Sequence, residues 1–235
     1  MFNQKYYIMD LKNLLRDPFV ALLSLLPLVI TMVFSLGIFW GLPFVEGFLS
    51  LDLSLYIPYA IAFVMVISAE MLGVVMGFMM LNDKDGHIIE LMSVTPFGRS
   101  GYVATRMGMV AFLNIFYNLL IYGVLGRMVM PWYTLFALIL VTTITAVTMG
   151  LMLYVLASDK VKGLTWAKFL NVWSILVFSD LLKDRWMIQI SSLFPTYWIG
   201  RLIRMPFSGA VYIWTIITSV FWLMVILIIF NQKKR

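Results

Sequence analysis

A chain of 235 residues in which 63% are hydrophobic and only 12% charged is far more apolar than a soluble domain, where charged residues run to roughly a quarter. It reads as one all-α integral membrane unit covering residues 1–235, because its apolar runs do not alternate with polar residues as the strands of a membrane barrel would. The absence of cysteine and the single histidine leave no disulfide framework and little metal chemistry, and the net charge of +6 matters only through where it falls.

A hydrocarbon core of about 30 Å needs roughly 20 helical residues, and the chain divides into runs of that order. Residues 1–17 form the first element. Tyr7, Ile8, Leu11, Leu14 and Leu15 recur at helical spacing opposite Lys5, Lys12 and Arg16, a short amphipathic helix suited to a lipid interface. It has no apolar core or small-residue cleavage site of the signal-peptide type, so it is expected to stay in the mature protein. Asp17-Pro18 reads as the cap and first residue of a new helix.

Six spans follow, at about 19–40, 56–81, 107–126, 133–157, 164–178 and 211–230. Pro27 is expected to kink the first and to free a carbonyl that a neighbouring helix must satisfy. Six crossings put both termini on one side. That side holds Lys5, Lys12, Arg16, Lys84, Arg99, Arg106, Lys160, Lys162, Lys168, Lys233, Lys234 and Arg235; the other holds Arg127, Lys183, Arg185, Arg201 and Arg204. The excess of positive charge therefore places both termini in the cytoplasm; the membrane is expected to be the cell (inner) membrane of a bacterium or archaeon. Residues 179–207 are too charged at their ends to span and too apolar in the middle for an ordinary loop. They are expected in or near the outer leaflet, with Trp186, Tyr197 and Trp198 at headgroup level, or folded as a cap on the bundle.

Chemistry of its own is not visible in this chain. A phosphate-binding loop of the form GxxxxGK[ST], two histidines for a metalloprotease and a GxSxG elbow are all absent, so the reading is a membrane protein and not an enzyme. Nothing points to nucleic acid. The acidic residue deepest in a span is Glu70, and a charge at that depth is by default a functional candidate. Gly73 and Gly77 follow at i+3 and i+7, so the carboxylate and two small residues share a face that should meet protein or a cavity. Glu70 can greet a cationic substrate, carry a proton, or accept hydrogen bonds from Asn114 or Asn118. Those two asparagines share one face of the third span, and Thr142, Thr145 and Thr148 form a stripe in the fourth; interhelical hydrogen bonding or a polar substrate path accounts for both sets.

Between spans two and three, residues 82–106 form a polar interruption carrying the only histidine. Asp85 is expected to cap a short helix whose Ile88, Leu91 and Met92 share one face while His87 and Glu90 look elsewhere, with Pro96 ending it and Gly98 to Gly101 turning back to the membrane. A second patch, Ser158-Asp159-Lys160-Val161-Lys162-Gly163, is similar to Asp83-Lys84-Asp85-Gly86, and both sit after even-numbered spans, where one partner can touch both.

These residues resemble a family. The acidic–basic start at Asp83 and Lys84, Gly86, Glu90-Leu91, Thr95-Pro96, and then Tyr102 and Arg106 look like the loop of the membrane subunits of type-2 ATP-binding-cassette exporters. His87 stands where that family usually has Thr. The resemblance extends to Arg16-Asp17-Pro18, the six spans, and Pro195, Tyr197 and Trp198 before the last span. It implies a dimer of permease subunits, either two copies or this chain with a related paralogue, and a separate ATPase chain that binds ATP and Mg. It also implies an ATPase contact at Asp83, Lys84, Asp85, Gly86, His87, Glu90, Leu91, Thr95 and Pro96. From the residues themselves, Asp159, Lys160 and Lys162 are candidates for a second contact, and Glu70, Asn114, Asn118, Thr142 and Thr145 for a transport pathway. The alternatives are a secondary transporter using Glu70, and a membrane immunity or assembly protein.

Overall fold

The computed structural model describes residues 18–49, 52–93, 98–125, 130–182 and 184–232, and every regular element among them is helical. In chain order these are α1 (Pro18–Leu36), a π-helical turn (Gly37–Gly41) leading straight into α2 (Leu42–Leu49), a short 3₁₀ turn (Ser54–Tyr56), α3 (Ile57–Asp85), α4 (Ile88–Ser93), α5 (Gly98–Val124) and α6 (Trp132–Leu156). Then come α7 (Lys160–Asn171), a long 3₁₀ segment (Val172–Leu182), α8 (Arg185–Ser191), α9 (Pro195–Arg204) and α10 (Gly209–Gln232). The N-terminal amphipathic helix expected over 1–17 lies outside the described residues.

Five of these helical stretches are long and apolar enough to cross a membrane: Val20–Phe48, Ser54–Asp85, Ser100–Val124, Trp132–Leu156 and Gly209–Gln232. Four of the expected spans agree closely with them or are extended by them. The third begins earlier than expected, because α5 already includes the polar turn at Gly98 to Gly101 and all the residues up to Arg106. The fifth differs in kind. Instead of one α-helix over 164–178, the chain turns through α7 and then tightens into 3₁₀ from Val172. Serine hydroxyls feed this tightening: Ser174 donates to the Asn171 carbonyl at 2.7 Å and Ser179 to Leu176 at 2.8 Å, each three residues back. A 3₁₀ helix repeats every three residues, so Asn171, Ser174, Val177 and Asp180 fall on one line.

The core is organised around α3, which runs parallel to α6 and is buried over most of its length. Glycines allow the approach. A Cβ on Gly73 would stand 2.3 Å from the Ala146 carbonyl oxygen, and one on Gly77 2.8 Å from Leu153. Gly150 returns the contact, its Cβ position lying 3.0 Å from the Gly73 carbonyl oxygen. Small residues of this kind let backbones pack where lipid gives no hydrophobic drive for association. One apolar cluster, including Phe78, Met107 and Leu153, fills the α4 end of the bundle; a second, including Met65, Leu138 and Ile199, fills the opposite end.

Pro27 sits inside α1, and the carbonyl of Ser24, three residues before it, takes a 2.5 Å hydrogen bond from the Tyr117 hydroxyl on α5. The carbonyl that the missing Pro27 N–H frees is that of Leu23, so this bond braces the adjacent carbonyl of the same turn. Residues 184–204 fold as α8 and α9 over the end of the bundle away from α4. Trp186 is exposed there, but Tyr197 is fully buried, so it cannot sit at a headgroup surface. Its ring is held inside because α9 presses on the 3₁₀ segment, with Gly200 against Val177.

Candidate functional site

The polar interruption folds as a reversal between α3 and α5. α3 continues through Lys84 and Asp85, so Asp85 ends one helix and does not cap the next. Gly86 donates its N–H to the Asn82 carbonyl at 3.0 Å and His87 to Lys84 at 3.1 Å, with His87 in the left-handed region at φ 56°. Such a residue after the last turn closes a helix and redirects the chain. It also sets the phase of α4. Ile89 becomes the buried anchor, with Met92 packed beside it, whereas Ile88 and Leu91 are exposed. The inward face expected from Ile88, Leu91 and Met92 is thus rotated by one residue.

What α4 shows outward is a mixed surface: Ile88 and Leu91 beside His87 and Glu90, whose side chains pair at 3.2 Å while about three-quarters exposed. Asp83 is used differently. Its carboxylate turns into the protein and receives both the Tyr102 hydroxyl and the Arg106 guanidinium at 2.5 Å, and Arg106 also lies over the Tyr102 ring. The cytoplasm-facing loop of the sequence reading is therefore clamped at its base, tying the end of α3 to the start of α5. Thr95 and Pro96 lie outside the described residues.

The second polar patch comes alongside the first. Asp159 caps α7 by accepting the Lys162 N–H at 2.9 Å; this bond and that from Ser158 hold its carboxyl below the ordinary value. Lys162 reaches back to the Ser158 hydroxyl at 2.8 Å. Ser158 and Lys84 line one cavity of about 260 Å³ together with Tyr154 and Phe230, so the two resembling patches lie side by side at one end of the bundle.

Deeper in, Glu70 is completely buried and neither carboxyl oxygen has a hydrogen-bond partner. The Ser174 hydroxyl and backbone face it from the 3₁₀ segment without making a bond of normal geometry. Bonds from Asn114 or Asn118 are not made. Asn114 donates instead to Thr142 and Thr143 at 3.1 and 2.9 Å, and Asn118 to the Asn114 carbonyl at 2.8 Å, leaving both side-chain carbonyls buried and unpartnered. The threonine stripe is not general interhelical glue either. Thr142, Thr145 and Thr148 each donate to a carbonyl of their own helix, and of the three only Thr142 also meets a neighbouring helix through Asn114. Since Gly73 meets Ala146, Glu70 and the Asn114–Thr142 contact lie at the same depth. They make a layer of buried oxygen acceptors midway along the bundle.

Sequence reading missed the far-end cluster. Asp180 meets Arg204 at 2.7 Å and Arg201 at 3.7 Å, and Arg204 also donates to the Tyr59 hydroxyl while stacking over its ring. The signal was present as alternating charge and aromatic residues in 180–204, but only the three-residue period of the 3₁₀ segment points Asp180 inward.

A family model described as fluoroquinolones export permease protein Rv2686c-like matches residues 10–230. The chain belongs to the Rv2686c-like family. No curated protein and no solved structure matches it. As a member of this family it is an integral membrane protein of the ATP-binding-cassette permease kind, in keeping with its several long apolar helices.

Proposed function

We propose that this chain is the membrane subunit of an ATP-driven exporter, working with a second permease subunit and a separate ATPase that carries ATP and Mg. The observation that supports this best is α4 itself. It is pinned between two long helices by Ile89, its base is clamped by Asp83, Tyr102 and Arg106, and it offers His87, Ile88, Glu90 and Leu91 outward. An ATPase that grips this face pushes α3 and α5 together. The polar cap at Asp159, Lys160 and Lys162, next to Lys84, is the second contact of the same partner.

A sixth crossing is supplied by α7 and the 3₁₀ segment. With 12 residues at about 1.5 Å and 11 at about 2.0 Å, Lys160 to Leu182 reach roughly 40 Å, enough for the hydrocarbon core. Both termini then lie in the cytoplasm, in agreement with the positive charge on that side. The family description names fluoroquinolones, so planar aromatic drugs of that class are the cargo to test first.

Co-expression with the phosphate-loop ATPase encoded nearest to it, followed by purification and reconstitution, tests the reading. Co-purification of the two chains and ATP-dependent accumulation of a fluoroquinolone in inside-out vesicles are expected; a chain that never brings down an ATPase overturns it. The buried, unpartnered Glu70 favours a second reading, a secondary transporter with a proton or cation site. Cargo movement driven by a proton gradient in vesicles containing this chain alone would establish that one.

A further inference from the structure

At the end of the bundle away from α4, the turn between α8 and α9 and the neighbouring half of α10 enclose an open cavity of about 790 Å³. That is within the range of drug-sized ligand pockets, roughly 300–1,000 Å³. Its lining is mostly apolar, and the three tryptophans in it, Trp198, Trp214 and Trp222, are held in place by their neighbours. Trp198 stacks on Trp214 at 5.9 Å and 17°, and Trp222 stacks on Phe194 at 5.4 Å and 15°. The indole N–H of Trp198 is tied to the Ser192 carbonyl at 2.7 Å and that of Trp222 to the next carbonyl, Leu193, at 2.9 Å. Two consecutive carbonyls of one turn thus lock two indoles, spending their donors on the backbone and leaving ring surface as wall. Such walls hold a flat ring at little entropic cost, because nothing needs to be ordered on binding.

One cation borders this wall. The Arg201 guanidinium lies over the rings of Tyr197 and Trp198 at 5.7 and 5.8 Å; its Nη1 donates to the Tyr197 hydroxyl at 3.3 Å, and its buried Nε makes no hydrogen bond and only a long ion pair. The carboxylate beside it, Asp180, is committed to Arg204 at 2.7 Å and stands 3.7 Å from Arg201, so two guanidiniums share one negative charge. Tyr197 does not supply the missing anion. Burial, with Asp180 adding to it, pushes its phenol up to about 12, so it stays neutral. A half-satisfied guanidinium above preorganised indoles is complementary to a carboxylate on an aromatic ring.

We propose that the cavity bordered by Trp198, Arg201, Trp214, Phe221 and Trp222 is a binding site for planar aromatic carboxylates, with Arg201 taking the carboxylate and the indoles taking the ring. This deepens the export reading by giving its cargo class a place in the fold, and it rests on that reading only for the direction of travel. Binding is measured without ATP or an ATPase, so its failure and the failure of the permease reading are separate results.

The test is equilibrium dialysis of radiolabelled 2-naphthoate against the full chain in phosphatidylcholine nanodiscs. Saturable binding is expected. Arg201→Gln should weaken it by about tenfold or more, the loss of one charge-assisted contact. Trp222→Leu should weaken it similarly, and 2-naphthalenemethanol, which keeps the ring but not the charge, should fail to compete. Equal binding by the Arg201→Gln chain, or equal competition by the alcohol, overturns the proposal. So does displacement of naphthoate when phosphatidylglycerol is added to the discs, since the occupant is then a lipid phosphate. The alcohol competition uses the unaltered chain and decides the matter if the Arg201 variant does not fold.

Discussion

The Asp83 carboxylate and the Arg106 guanidinium, 23 residues apart in sequence, meet at 2.5 Å beneath α4. With Tyr102 donating to the same carboxylate oxygen, this contact makes the ends of α3 and α5 one mechanical unit. Both side chains are mostly shielded, at 16% and 7% exposure, so removing one partner strands the other charge in a poorly solvated place. Asp83→Ala is expected to cost roughly 2–4 kcal/mol, visible as a lowered thermal midpoint in detergent, whereas Asp83→Ala combined with Arg106→Leu should recover much of it. A double variant no better than the single one would show that the pair does not act as a clamp.

The contact of α3 with α6 predicts a second asymmetry. A methyl group at Gly73 runs into the Ala146 backbone carbonyl, which cannot move aside as a side-chain tip can. Gly73→Ala should therefore destabilise the chain by about 1–3 kcal/mol or prevent its purification as a single species. Gly123→Ala, on α5 with nothing within 4 Å of the new methyl, should be neutral or slightly stabilising. Thermal unfolding followed by size-exclusion chromatography separates the two.

How much of this was legible depended on which period the residues obey. Length and hydropathy were enough for the long helices, since α6 needs nothing beyond its run of apolar residues. The early start of α5 was hidden because Arg99, Ser100 and Arg106 look like loop residues until Asp83 is seen to receive Arg106. The face of α4 was misphased by one residue because His87 adopts a left-handed conformation no local pattern announces. The 3₁₀ segment was hidden most completely: at 3.6 residues per turn Ser174, Val177 and Asp180 drift apart, and only a three-residue period aligns them toward Glu70, Gly200 and Arg204. For the candidate sites, residue types such as Glu70 and the α4 loop could be named from sequence. Their partners could not, because Asn114 chose threonines on α6.

The exposed face of α4 gives a prediction about assembly and not about fold. Leu91 is 68% exposed and Glu90 stands beside it, so neither supports the core. Leu91→Asp and Glu90→Lys should leave the unfolding free energy within about 0.5 kcal/mol of the parent's. Each should nevertheless sharply reduce co-purification of the ATPase, because the substitutions alter the surface the partner reads. Ile89→Asp is the contrasting variant. It buries a charge in the apolar cluster and should fail to fold; normal ATPase capture by both Leu91→Asp and Glu90→Lys would remove α4 from the interface.

Glu70 yields the prediction in which stability and function part company. Its carboxyl is buried without a hydrogen-bond partner, which costs folding free energy in a layer that already holds other buried, unpartnered oxygens. Replacing it by a group of similar shape and no polarity should therefore do no harm to the fold. Glu70→Met is expected to raise the thermal midpoint by a few degrees, and Glu70→Gln to leave it nearly unchanged because no hydrogen bond is lost. If the carboxyl is retained for transport, both variants should lower the rate for cargo bearing a positive charge by tenfold or more in reconstituted vesicles, while ATPase capture stays normal. A drop in the midpoint of Glu70→Met would instead mark Glu70 as a structural strut, and undiminished transport by both variants would take it out of the pathway.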